Sequence, residues 1–414
     1  MSHCSCAPHP VVDLPSTPNP PGHSDESSTV ATVEYTAASE RLRLACRSHG
    51  CFHLRLRRPP PSLSPLLRVE GGSDGGSGVG SLFEPSLLSH LDLDPGAALA
   101  QVGGRFYYRG RTAESGGGGR PEPKQSWEVR KCRRLQGEVG CLHTPRRMEQ
   151  LDGWVSALHE AAGMVMAALG IRSGVVLGDS PCRCDELPSP PKGPPRWERC
   201  SSDILRVFRY DALPDISNQQ RRPGSSSHTD WGSLTVVWQD ERGGLQTHCS
   251  VCDAWSDVDA SIARASVGDE DVVHLFVHIG DCLSLATGGL YPSPRHRVLC
   301  PIRRTGGSRR LDEGRTSLVY FAYPPPGISL RDIEGALRSD GAYLGTEEVR
   351  AASCHHYSLL ANQSATSEGV ADDERKDETD ASRAYRTYKR IRGIPFDHVV
   401  RDKWEQVQRF ASGS

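Results

Sequence analysis

Between Ile204 and Pro326 the chain offers a series of short apolar runs and no stretch patterned for a long helix. Leu205–Tyr210, Ser233–Gln239, Val272–Ile279, Arg297–Ile302 and Thr316–Tyr323 are each the length of a strand, and Gly and Pro punctuate the segments between them. A lone strand or hairpin cannot bury its apolar face, so short strands set off by turn signals must pair into a sandwich or a barrel. The pattern predicts an antiparallel β core over residues 201–330.

The flanks read differently. Residues 1–30 are rich in Pro, Ser and His and are expected to be mobile, apart from a short strand at Pro10–Leu14. Residues 31–200 are expected to form a mixed, mainly helical region packing on the core. There, Thr36–Ser48 reads as an amphipathic helix with Ala38, Leu42, Leu44 and Ala45 on one face. Cys51–Leu56 alternates Phe52, Leu54 and Leu56 as a strand does. Met148–Leu169 carries Leu151, Trp154, Leu158, Ala161, Ala162 and Val165 near helical spacing, and Gly170 is placed to cap it. Gly71–Gly80, Ser115–Gly119 and Pro188–Pro195 read as loops. Residues 331–414 turn polar and helical, with an acidic, Ser/Thr-rich linker at 363–380 and a helical tail at Arg383–Phe410.

Composition narrows the function classes. Hydrophobic residues make up 36% of the 414, and 42 glycines bring the apolar share into the range of soluble globular proteins. The longest apolar run, around Ala161–Ile171, falls short of the roughly 20 residues that span a bilayer. A net charge of −2 gives no field that favours nucleic acid or an anionic membrane. Arg303–Arg310 is basic, but Asp312 and Glu313 follow it and few aromatics interleave, so it reads as a solvated loop. The 14 cysteines form no disulfide framework, and no secretory apolar segment precedes them. The expectation is a cytoplasmic monomer with reduced thiols and no nucleic-acid or membrane partner.

Three segments carry candidate chemistry. In His228-Thr229-Asp230 an imidazole and a carboxylate two apart share one face of an extended strand and can ligate one metal. Such triplets also arise by chance, as at His90-Leu91-Asp92. His296 follows the Gly288-Gly289 turn and opens an apolar strand; it is either a satisfied strand-end histidine or a second imidazole beside the first pair. Two His and one carboxylate on one face of a metal leave positions open, as non-haem Fe(II) oxygenases need. Arg315 and Ser317 share a strand face and can hold a carboxylate, the guanidinium bidentately. Cys249-x-x-Cys252 with His248, and Cys182-x-Cys184, are weaker zinc candidates, because no second pair follows at finger spacing.

Taken together these stretches resemble the Fe(II)/2-oxoglutarate-dependent dioxygenase superfamily, and within it the isopenicillin N synthase-like branch that includes plant gibberellin, flavonol and ethylene-forming oxygenases. His228–Asp240 resembles the strand of the first metal ligands, and Gly243-Gly-Leu-Gln246 the segment after it. Ile279-Gly-Asp-Cys-Leu283 and Tyr291–Val298 resemble the run into the last ligand, Arg315–Phe321 the co-substrate strand, and Leu205–Tyr210 the strand of a co-substrate tyrosine. Leu42–Leu54 and Lys124–Glu128 resemble upstream elements. The chain departs from the pattern at His278, where the family has Asn, and at Phe208 and Asp211. Long spacings from His228 to His296 and from His296 to Arg315 place extra loop at Ala260–Asp271 and Thr305–Gly314.

The resemblance implies a mainly β fold with flanking helices around a double-stranded β-helix, a distorted, cupin-like jelly roll. It implies Fe(II) on His228, Asp230 and His296, and 2-oxoglutarate anchored by Arg315, Ser317 and Tyr210. O2 is the oxidant, ascorbate a candidate reductant, and a small organic molecule the substrate, with release of succinate and CO2. The alternatives are an iron oxidase of the same branch that does not use 2-oxoglutarate, and a non-catalytic jelly-roll binding module.

Overall fold

The computed structural model describes residues 9–15, 26–69, 79–83, 99–103, 106–109, 122–130, 145–178, 203–214, 221–261, 272–302, 314–339, 357–360 and 380–412. In chain order these carry β1 (Val11–Asp13), α1 (Glu26–His49), β2 (Cys51–Arg57), β3 (Leu99–Gly103), β4 (Phe106–Arg109), β5 (Lys124–Arg130), α2 (Pro145–Leu169), α3 (Ser173–Val176) and β6 (Ile204–Tyr210). Then follow β7 (Pro223–His228), β8 (Leu234–Gln239), β9 (Leu245–Cys249), β10 (Ala254–Asp257), β11 (Val272–Ile279), α4 (Asp281–Ala286), β12 (His296–Leu299) and β13 (Arg315–Ala322). Helices α5 (Leu330–Ser339), α6 (Asp380–Ile391) and α7 (Phe396–Ser412) complete it.

The strands form two sheets. One has nine strands in the order β1-β2-β11-β8-β13-β6-β5-β4-β3, and the other four in the order β10-β9-β12-β7. All pairings are antiparallel except β1 with β2. From β7 onward the chain alternates between them: β7 in the small sheet, β8 in the large, β9 and β10 in the small, β11 in the large, β12 in the small, β13 in the large. That winding is a double-stranded β-helix, so the core is the predicted jelly roll.

Strand alternation splits the burial into two cores. Leu54, Leu275, Val236, Leu318, Tyr320, Leu205 and Val207 join the main hydrophobic cluster with the buried faces of α1 and α2. Cys51, Phe208, Tyr210, Val237 and Phe276 of the large sheet meet Leu245 and Val298 of the small one in a second cluster between the sheets. Helix α2 ends where the sequence places its cap: Gly170 has φ +75, and its N–H and that of Ile171 donate to the Ala167 and Met166 carbonyls. Leu44 is 66% exposed and does not share the buried face of Ala38, Leu42 and Ala45. Two residues at about 100° each put it nearly opposite Leu42.

Helix α1 begins at Glu26 and β1 lies at Val11–Asp13. The loops at 115–119 and 188–195, most of 71–80 and 363–380, the extra segments near 262–271 and 303–313, and the triplet at His90 lie outside the described residues. Among the described residues no helix is long and apolar enough to cross a membrane.

Candidate metal centre

His228 ends β7, and His296 opens β12 directly opposite it in register. Asp230 is two residues on, past the end of the strand, in a loop that still runs extended enough to return its carboxylate to the same side. His228 Nε2 lies 3.5 Å and His296 Nε2 3.6 Å from Asp230 Oδ1. The three donor atoms sit within 4.8 Å of one another, and among the described residues this is the only such group of His, Cys, Asp or Glu.

The neighbouring hydrogen bonds aim these donors. His228 Nδ1 is 2.7 Å from the Ser226 carbonyl and His296 Nδ1 3.2 Å from that of Pro294. An Nδ1–H that donates to a carbonyl leaves Nε2 with a bare lone pair, as a metal ligand requires. The outer oxygen of Asp230, Oδ2, accepts from Thr235 Oγ1 at 2.6 Å and lies 3.5 Å from His278 Nε2. The loop's backbone is pinned by the start of α4: the Asp281 N–H donates to the Asp230 carbonyl at 2.7 Å and the Cys282 N–H to that of Gly232 at 3.1 Å. This close approach explains Gly280 in the Ile-Gly-Asp run, since a Cβ there would lie 2.1 Å from the Gly232 oxygen.

Burial works against charge here, and the neighbours decide the outcome. Burial alone would raise the Asp230 carboxyl, but His296, His228 and His278 outweigh it and hold it well below the usual range. Burial pushes His296 down to about 3, against the pull of Asp230, so its imidazole is neutral at physiological pH. His228, opposed by burial, is nonetheless raised by Asp230. The set is one anionic oxygen and imidazole nitrogens, a donor mix suited to a first-row divalent metal.

Arg315 opens β13 and is 1% exposed. Its Nη1 donates to Ser317 Oγ at 3.1 Å and its Nη2 to Gln239 Oε1 at 3.0 Å, while Nε has no hydrogen-bond partner among the described residues. Tyr210 stands opposite Arg315 in register and offers its ring face to the guanidinium at 4.9 Å. The three predicted anchor residues are therefore together, on the inner face of the large sheet.

Gln239 and Thr235 are further members that the motifs alone do not single out. Both belong to β8 and share its inward face, and Gln239 pairs in register with Ser317. Period-two alternation along His228–Asp240 carries that signal. At the zinc candidate, His248 Nε2 is 3.0 Å from Asp253 Oδ1 and its ring packs on Trp255. Among the described residues neither Cys249 nor Cys252 joins a metal-holding group. Cys182 and Cys184 lie outside the described residues.

Comparison with known proteins found a family model, curated relatives and solved structures similar to parts of this chain. The family model for the 2OG-Fe(II) oxygenase superfamily matches residues 201–324. A "2-oxoglutarate-dependent dioxygenase frbA" of Dothideomycetidae sp. is 34% identical over 140 residues, covering 34% of this chain and 37% of the relative. A "Proline hydroxylase buaE" of Petromyces alliaceus is 30% identical over 154 residues, covering 36% and 44%. The matched stretch thus spans less than half the length of these relatives. The solved structure of a full-length Neurospora crassa protein in complex with alpha-KG superposes over 84% of this chain and 94% of that one, at 16% identity and a TM-score of 0.49. Residues 201–324, the jelly-roll core, are thus similar to the 2OG-Fe(II) oxygenase superfamily.

Proposed function

We propose that this protein is an Fe(II)- and 2-oxoglutarate-dependent dioxygenase of the isopenicillin N synthase-like branch, oxidising a small organic molecule with release of succinate and CO2. The observation that carries the reading is the convergence of His228 Nε2, Asp230 Oδ1 and His296 Nε2 at one point on the wall of the jelly roll. The residues fit the group: two imidazole nitrogens and one carboxylate oxygen form a facial set that leaves positions open. The buried Arg315, with its Nε unpartnered, fits the remote carboxylate of a dicarboxylic acid.

In this reading His228, Asp230 and His296 hold the iron, and Thr235 and His278 fix the outer oxygen of Asp230 so that the inner one coordinates. Arg315, Ser317 and Tyr210 bind the far end of 2-oxoglutarate, and Gln239 holds the guanidinium in place. Iron and 2-oxoglutarate, when bound, supply the oxidising chemistry with O2. The chain's part is orientation and exclusion of water, to which the packed cluster of Phe208, Val237, Phe276, Leu245 and Val298 between the sheets contributes. Ascorbate is the reductant to test first. The near-neutral charge gives no field that would draw nucleic acid or an anionic membrane, and in this reading the substrate is a small molecule and the protein a cytoplasmic monomer.

Adding Fe(II) and 2-oxoglutarate without oxygen tests the proposal. The visible charge-transfer band of the chelate is expected in the parent chain and absent from His228→Ala. Iron binding without the band would replace the proposal with an oxidase independent of 2-oxoglutarate. Absence of iron binding would leave a binding module.

A further inference from the structure

The loop that carries Asp230 is gripped from behind by the chain that follows the jelly roll. Along His228–Trp231 the side chains alternate. His228 and Asp230 meet at the centre, while Thr229 and Trp231 engage residues far along the sequence. The Thr229 N–H donates to Ser358 Oγ at 2.9 Å, and the Ser358 N–H donates back to Thr229 Oγ1 at 2.8 Å. Thr229 Oγ1 also donates to Asp281 Oδ2 at 2.9 Å, an oxygen that accepts the Leu359 N–H at 3.0 Å. Tyr357 Oη and Ser284 Oγ, 2.6 Å apart, tie the same segment to α4. On the other side of Asp230, the Trp231 ring meets Trp404 of α7 edge to face, with centroids 5.0 Å apart.

We infer that residues 357–360 and helix α7 form a clamp on the ligand loop, with Ser358 and Trp404 as positioning residues for the metal centre. The inference rests on the proposed reading of that centre. Its physical ground is that Asp230 lies past the end of β7, where no strand partner fixes the backbone. A ligand must be held to within about half an ångström to keep its geometry, and the clamp engages the residue on each side of it. Thr229 is 1% exposed, so its N–H has no water to fall back on if Ser358 is lost.

The test compares the full chain with Ser358→Ala, Ser358→Thr and Trp404→Ala. It measures anaerobic Fe(II) affinity by chelator competition, the visible spectrum with Co(II) in place of iron, and amide exchange over residues 228–232 without metal. Ser358→Ala should weaken Fe(II) binding about tenfold, the low end of what loss of a ligand's direct outer partner costs, because Ser358 acts through Thr229. It should also alter the Co(II) spectrum and speed exchange at Thr229. Ser358→Thr should restore all three, and Trp404→Ala should move them in the same direction by less. Equal Fe(II) affinity in parent and Ser358→Ala would overturn the clamp alone, as would a Thr equivalent no better than Ala. A parent that binds no Fe(II) would overturn the metal-centre reading and the positioning role with it. If Ser358→Ala does not fold, the parent decides: a fast-exchanging Thr229 amide would overturn the clamp.

Discussion

Two groups of imidazoles lie close together in this jelly roll. In one, His228, His278 and His296 surround Asp230, with ring centroids 4.4 Å and 4.5 Å from His296 to the other two. In the other, His9 and His53 pack edge-on against Phe276 at 5.4 Å and 5.2 Å, and His9 Nε2 bonds Thr247 Oγ1 at 2.7 Å. The groups are neighbours: Phe276 and His278 belong to the same strand, and Thr247 pairs in register with His296. Residue type is the same, but Asp230 lies 3.5–3.6 Å from the imidazoles of the first group, and no carboxylate is in ion-pair contact with His9 or His53 among the described residues. Burial pushes His9 and His53 down to about 4, helped by His49 and His9 respectively. Beside Asp230 the histidines divide: His228 is raised by the carboxylate, whereas burial still pushes His278 down and His296 to about 3. In the first group the donor atoms converge on one carboxylate; in the second the rings pack on Phe276.

The largest expected effect is on the metal. Asp230→Ala should weaken Fe(II) binding at least a hundredfold, beyond the roughly ten- to hundredfold cost of losing an outer partner. His53→Asn should leave it within about twofold. Anaerobic titration against a chelator measures both, and comparable losses would erase the distinction between the two groups. Next, Arg315→Ala should raise the 2-oxoglutarate concentration that half-saturates the chelate band by roughly 30-fold or more, as loss of a buried charge partner costs about 2–5 kcal/mol. Gln239→Ala should raise it less, since it supports the guanidinium from the side. An unchanged requirement in Arg315→Ala would move the anchor elsewhere.

The second group should contribute to the acid response, alongside His296 of the first. His9 and His53 titrate at about 4 folded and near 6.5 unfolded, so the unfolded chain takes up protons first as pH falls. Stability is then full above pH 6.5 and is lost progressively down to pH 4, by roughly 3 kcal/mol per imidazole. Melting curves of the metal-free chain across that window should show the loss, and His53→Asn should lessen it by one imidazole's share. A slope unaltered by that substitution would assign the acid response to other groups. The smallest effect is Thr247→Val, which removes one hydrogen bond to His9 and should cost about 1 kcal/mol. Fe(II) affinity should not change; a change would mean that the groups are coupled through β9 and β12.

Much of the core is legible because strands announce themselves locally. The predicted strand Val272–Ile279 coincides with β11 to the residue, and the other predicted strands lie within a few residues of their positions. The i, i+2 spacing also picks out His228 with Asp230 and Arg315 with Ser317. Strands β9 and β10, short and polar, carry no apolar run and give no such signal. Leu44 is misplaced when apolar character alone is taken for a face, without following the turn of the helix.

By itself the sequence determined the succession of strands, the donor residue types and the glycines that let backbones touch, because period, turn chemistry and donor atoms are local properties. Only the tertiary structure decided which imidazoles share a carboxylate. His278 and His53 lie on neighbouring strands, yet one reaches Asp230 and the other packs among rings. It also decided that Ser358 meets Thr229 across 129 positions. A hydrogen bond needs two groups within about 3 Å, and over such a separation only the packing of the whole chain sets that distance.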